Sequence, residues 1–299
     1  MLHLKRFMEA IWVLENVKQS KEFYTKNQLL MLVASVTLWK KYHPNHTLVL
    51  YVDSLTFNTL KLTGLFHLWN SVRILNYNNK INKEIFWSSG KTKIISETKI
   101  PLVVIDHDFL IFKNIDEHLN TNVLYSYDEI AHNWYVEENC LFNANLTTPV
   151  ERVIDLAANV SLFYLPDPKF ARKYGKQVLK NHEEFTKMDF EGMTPNWMIL
   201  SEQLMLKQWL TKDNIPHKTL NKGIFNIKKG EFTDKETGKG IWSNKEFSLY
   251  YKHYGVEKRS KEFINKGHEY LSRCISAGKV YNKDQILTIV EDLGKELPY

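Results

Sequence analysis

The sequence predicts an α/β fold built on a doubly wound half-sheet, and three observations carry the prediction. Short apolar runs alternate with stretches of helical period from residue 9 to residue 112, giving the order β, α, β, α, β, α, β. Several runs end in acidic residues, at the strand ends where open α/β sheets bind ligands. The last of them, PLVVIDHDFLIF at 101–112, is apolar enough for a strand buried on both faces, as at the centre of a parallel sheet.

Taken in order, residues 9–14 form a first short strand containing Trp12, followed by a polar loop at 15–26. In 27–42 the residues Leu29, Leu30, Leu32, Val33, Val36 and Trp39 recur at helical spacing, and His43-Pro44 stops the helix. TLVLYVD is a second strand ending in Asp53, a residue open to two readings: a contact to a base or ribose, or a strand-end turn. A helix at 55–68, a third strand at 72–77 and a helix at 84–99 lead into the run at 101–112. Beyond it come a strand at 122–127 leading into Asp128-Glu129, and a long excursion at 131–150. A strand at 158–168 and a basic helix at 170–181 follow. Thr194-Pro195 starts an apolar helix that carries Ser201, Glu202 and Gln203. A buried Glu202 needs a partner; it either closes a structural network or faces a cleft. IPHKTL is a last strand, and 222–245 reads as a linker or surface loop. Two helices, at 260–275 and 282–293, end the chain, which divides into a domain at 1–255 and a helical extension at 256–299.

With 299 residues, 43% hydrophobic and 25% charged, the chain has the composition of a globular protein and not of a disordered one. A net charge of +6 permits an anionic partner without choosing one. Cys140 and Cys274 are too few for a disulfide framework and are not spaced for zinc, which suits a reducing compartment. Charges interrupt the first apolar residues, so the expectation is a cytoplasmic protein, with peripheral membrane contact through the basic C-terminal helix as the lesser reading.

Asp106 and Asp108 carry the chemistry. Two aspartates one residue apart repel each other and resist desolvation, so beside a buried strand they point to a divalent cation or a wet cleft. If His253 joins them, two carboxylates and an imidazole make an open site that favours Mn²⁺ over Mg²⁺. Lys258 then stands within reach of a diphosphate, and such a site suits departure of a nucleoside diphosphate from a sugar.

VVIDHDFLIFKNI resembles the strand-plus-DxD segment of GT-A-fold glycosyltransferases, and HYGVEK resembles the HxxGxxK element of glycogenin-like, family 8 enzymes. WSSGK before the DxD run, a following strand and a helix bearing Glu-Gln are similar in order to a group of bacterial and viral DxD glycosyltransferase-like proteins. The resemblance covers roughly residues 47–259 and implies a GT-A-like, Rossmann-type mixed sheet flanked by helices. It implies that Asp106, Asp108 and His253 hold the metal, Mn²⁺ or Mg²⁺. Lys91, Asp106, Gly255 and Lys258 would bind the nucleotide-sugar donor, with Trp12 and Asp53 as further donor contacts. Asn159, Ser161 and Gln203 fall on the acceptor side, and Glu202, then Asp128, are the candidate bases for an inverting reaction. Arg259 and Ser260 stand where family 8 enzymes usually continue with Pro and Trp, and Ser161 where many relatives have glycine.

The expected activity is therefore transfer of a sugar from a UDP- or GDP-sugar to a saccharide, lipid or protein acceptor. A nucleotidyltransferase, which would release pyrophosphate, is the competing enzyme class. A basic protein binding nucleic acid or polysaccharide is the non-catalytic one, and against it the basic residues are scattered and no nucleic-acid motif is present.

Overall fold

The computed structural model describes residues 8–15, 26–76, 80–111, 113–120, 122–130, 156–187, 196–221, 223–226 and 231–233, and the backbone at 251–253. Its strands are β1 (Glu9–Leu14), β2 (Thr47–Val52), β3 (Ser71–Ile74), β4 (Leu102–Ile105), β5 (Phe109–Ile111), β6 (Val123–Ile130), β7 (Leu156–Leu165), β8 (His217–Thr219), β9 (Ile224–Asn226), β10 (Glu231–Thr233) and β11 (Tyr251–His253). Its helices are α1 (Lys26–Tyr42), α2 (Ser54–Thr63), α3 (Ser89–Glu97) and α4 (Pro168–Lys187). A fifth described helix, α5, runs through Asn196–Ile199, a π-helical turn Leu200–Leu204, and Met205–Lys212. The fold is mixed α/β, and nine of these strands take part in mixed-sheet pairing.

The chain divides into two compact units, the first made of Met1–Glu9, Leu75–Val104 and Glu117–Asn244, the second of Ala10–Ile74, Ile105–Asp116 and Lys245–Tyr299. In the second unit β1, β2 and β3 lie side by side, with β2 and β3 parallel in the register Val49↔Ser71 to Val52↔Ile74. Ala10, Ile11, Trp12 and Leu14 join Leu48, Val49, Leu50 and Val52 in its core. Helix α1 is buried along 31–39 except at Val33, so it is enclosed nearly all round and its polar Ser35 needs internal partners. Asp53 caps α2, accepting from the Thr56 N–H at 2.8 Å, and Gly64 ends that helix at φ 69°, where a side chain would be strained.

In the first unit the strand order is β10-β9-β6-β7-β4. β7 runs antiparallel along one edge of β6; β8 and then β9 pair parallel with successive parts of the other edge. Helix α3 lies so close to α4 that a Cβ on Gly175 would fall 2.6 Å from the Ser96 backbone nitrogen.

Four expectations are corrected. The run at 101–112 is not one strand: β4 stops at Ile105, residues 106–108 turn, and β5 leaves to pair with β11. The strand expected at 122–127 runs on to Ile130 through Asp128 and Glu129, because both find partners. The expected helix at 84–99 forms only over Ser89–Glu97, and the linker expected at 222–245 contains β9 and β10. The excursion at 131–150 and the C-terminal extension from 256 lie outside the described residues. Among the described residues no helix is long and apolar enough to cross a membrane.

Candidate functional site

In the second unit the site is the turn Asp106-His107-Asp108. The Phe109 N–H donates to the Asp106 carbonyl at 3.0 Å and closes the turn. Asp108 is buried, while Asp106 and His107 are half-buried. β5 then pairs antiparallel with β11, and the register sets His253 directly opposite Phe109, the residue after Asp108. Two parts of the chain that the sequence separates by about half its length thus meet along one two-stranded ribbon. Gly255 and Lys258, two and five residues further on, lie outside the described residues, as does the His253 side chain. Among the described side chains no group of three His, Cys, Asp or Glu could hold a metal ion. Two carboxylates on the turn suit Mn²⁺ or Mg²⁺ in ligand type, and the register brings the backbone of β11, which carries His253, alongside β5.

Trp12 is fully enclosed, its indole N–H donating to the Ser35 hydroxyl at 3.0 Å and its ring meeting Trp39 edge to face. The ring has no exposed face for a base to stack on. Asp53 spends its carboxylate on the α2 N-terminus, accepting from both the N–H and the hydroxyl of Thr56.

Lys91, on α3, lies 3.2 Å from Glu202 Oε1 in the π-helical turn of α5, and both are buried. Each of these residues, singled out for a separate reason, is the other's partner. A π-turn widens the helix by one residue and often marks a functional position. Around it, the Tyr174 hydroxyl donates to the Glu202 carbonyl at 2.9 Å, and burial, followed by the charge of Glu202, raises the phenol's pKa so that it stays protonated. The Ser201 hydroxyl donates to the Met198 carbonyl and so accepts from His182 Nε2, at 2.8 Å; burial lowers His182 to about 3 and keeps it neutral. Gln203 Oε1 is buried with no hydrogen-bond partner among the described residues.

Asp128 is 1% exposed and its Oδ1 accepts from Lys207 Nζ at 2.9 Å and from the Tyr125 hydroxyl at 2.7 Å. Lys207 also donates to the Tyr125 oxygen at 2.7 Å. Burial, then the Asp128 charge, raises the Tyr125 phenol so that it remains a donor. Asn159 and Ser161 stand at a register irregularity in β7, where Ser126 alone on β6 faces residues 160–162. Side chains take the backbone groups freed there: Asn159 Oδ1 accepts from the Ser161 N–H, and Ser126 Oγ from the Leu162 N–H. Asn159 Nδ2 donates to Glu129 Oε1 at 2.6 Å, so Asn159 and Ser161, expected on the acceptor side, belong to one buried network with Glu129 and Ser126. Bulges of this kind re-aim side chains and recur beside active sites.

Sequence reasoning missed Lys207, Glu129 and Ser35. A lone lysine inside the apolar stretch LMLKQWL was the signal for the first; the other two carried none.

No family model and no curated protein matches the chain. Among solved structures, the crystal structure of an active-site mutant of LgtC aligns with a TM-score of 0.38 at 11% identity, over 66% of this chain and 70% of that one.

Proposed function

We propose that the chain is a metal-dependent glycosyltransferase that moves a sugar from a nucleoside-diphosphate-sugar donor to a saccharide, lipid or protein acceptor. The observation that supports this reading best is the β5–β11 register, which puts His253 across from the residue that follows Asp108. In the reaction the bond from the anomeric carbon to the diphosphate oxygen breaks, its electron pair leaves with the nucleoside diphosphate, and an acceptor hydroxyl bonds to the carbon and gives up its proton. Asp106, Asp108 and His253 would hold the cation, which when bound supplies Lewis-acid stabilisation of the departing diphosphate. Gly255 and Lys258 bind that diphosphate.

Lys91 serves the donor sugar or phosphate and Glu202 the transferring sugar, a joint assignment supported by their 3.2 Å separation. As base for an inverting reaction Glu202 ranks ahead of Asp128, whose Oδ1 already accepts from two donors. Asn159, Ser161 and Gln203 are assigned to the acceptor side in this reading.

A thermal-shift panel of UDP- and GDP-sugars with and without Mn²⁺, joined to product analysis, tests the reading. One donor should raise the melting temperature only when metal is present. Turnover should release a nucleoside diphosphate, and Asp108→Ala should abolish metal-dependent donor hydrolysis while leaving the fold intact. Release of pyrophosphate, or turnover that survives Asp108→Ala, overturns it.

A further inference from the structure

We infer that Ser35 is a positioning residue for the acidic turn, joining Trp12 to Phe109 so that the metal-binding segment keeps its shape. This rests on the metal reading above.

Ser35 lies in the enclosed part of α1 and is 1% exposed. Its one hydroxyl proton goes to the Phe109 carbonyl at 2.8 Å, and its oxygen accepts the Trp12 indole N–H at 3.0 Å. One side chain therefore links β1, α1 and β5. Phe109 joins three parts of the site. Its N–H closes the turn on Asp106, its carbonyl is gripped by Ser35, and its Cα faces His253 across the ribbon.

A ribbon of two three-residue strands does not hold itself in place. Its far end is fastened to the end of that helix and to the turn that follows it. Asn114 Nδ2 donates to the Tyr42 carbonyl at 2.6 Å, the Ile115 N–H donates to His43 Nε2 at 3.0 Å, and His46 reaches Asp116 at 3.2 Å. Helix α1 and the turn after it thus anchor the segment on both sides, and Ser35 is the anchor next to the aspartates. Groups that orient metal ligands without touching the metal commonly change affinity by about 10–100-fold when removed. If Ser35 merely satisfied the Trp12 indole, its loss would lower stability and leave the turn alone.

The test titrates Mn²⁺ into the full chain and its Ser35→Ala, Ser35→Thr and Asp108→Ala variants, and follows amide hydrogen exchange at 106–111. Ser35→Ala should weaken Mn²⁺ binding about 10-fold and speed exchange at 106–111 beyond any change elsewhere; Ser35→Thr, which keeps the hydroxyl, should restore both. If Ser35→Ala fails to fold, Ser35→Cys, which fills the same space with a poor donor, carries the same expectation. Wild-type Mn²⁺ binding that Asp108→Ala abolishes and Ser35→Ala leaves unchanged overturns the positioning role. A wild-type chain that takes up no Mn²⁺ fails the metal reading instead. Exchange then decides alone: acceleration confined to 106–111 and its rescue by Thr keep the link, and unchanged exchange overturns it.

Discussion

Two lysines and two carboxylates make the first unit's interior expensive to rearrange. Lys91 with Glu202, and Lys207 with Asp128, are nearly dry pairs, in which removing one member leaves a charge that water does not solvate. Lys207→Ala should therefore lower the free energy of unfolding by about 3–5 kcal/mol, measured by urea titration. Lys207→Met combined with Asp128→Asn removes both charges together, and should recover most of that loss. A double variant as unstable as the single one would mean that packing, not charge, is what Lys207 supplies. The sequence announced half of such a pair. Glu202 in an apolar helix demanded a partner, but nothing along the chain pointed to Lys91, more than a hundred residues earlier, because the pairing depends on how α3, α4 and α5 pack.

That packing turns on one glycine. α3 approaches α4 where Gly175 offers no Cβ, and the nearest obstacle to one would be backbone, which cannot swing aside. Elsewhere in a helix Gly→Ala gains about 0.5–1 kcal/mol; Gly175→Ala should instead cost about 1–3 kcal/mol by overpacking. It should also loosen Lys91 from Glu202, seen as faster hydrogen exchange in α3. A variant more stable than wild type would refute the close approach. Elements such as α1 and β2 were legible because periodicity and the stop at His43-Pro44 are local signals; the helix expected at 55–68 instead ends at Thr63, where Gly64 takes a left-handed conformation, and Asp53 proved to be its cap. β5, β9, β10 and β11 were not, being three residues long and defined only by the strands they meet. HYGVEK was noticed for its chemistry, while the strand that sets its histidine opposite Phe109 left no mark in the sequence. Nor did the irregularity in β7, which exists because Ser126 and Asn159 accept the backbone N–H groups it frees.

Over the whole molecule, acid should weaken both units at once, because each buries a neutral imidazole. In the second unit burial, reinforced by neighbouring His46 and opposed by Asp116, pushes His43 from its ordinary 6.5 to about 4. Its Nε2 accepts the Ile115 N–H and so carries no proton. In the first unit burial holds His182 at about 3, with Nε2 donating to Ser201 and a bare Nδ1 that finds no partner among the described residues. Above pH 6.5 each histidine is neutral whether the chain is folded or not, and contributes no pH dependence. Below it the unfolded chain takes up protons that the folded chain refuses, so stability falls with falling pH, at about 1.4 kcal/mol per unit for each histidine. The loss from His43 should level off near pH 4, at about 3 kcal/mol, whereas that from His182 should continue toward pH 3. Hydrogen exchange read separately in the two units between pH 7 and pH 4 checks this, since the units need not unfold together. His43→Gln should make the profile of the second unit shallower, leaving the part that His46, also lowered by burial, contributes, and should leave that of the first unchanged. Equal slopes for wild type and His43→Gln in the second unit would mean that His43 is already protonated in the folded chain, and that its hold on Ile115 is not the one described.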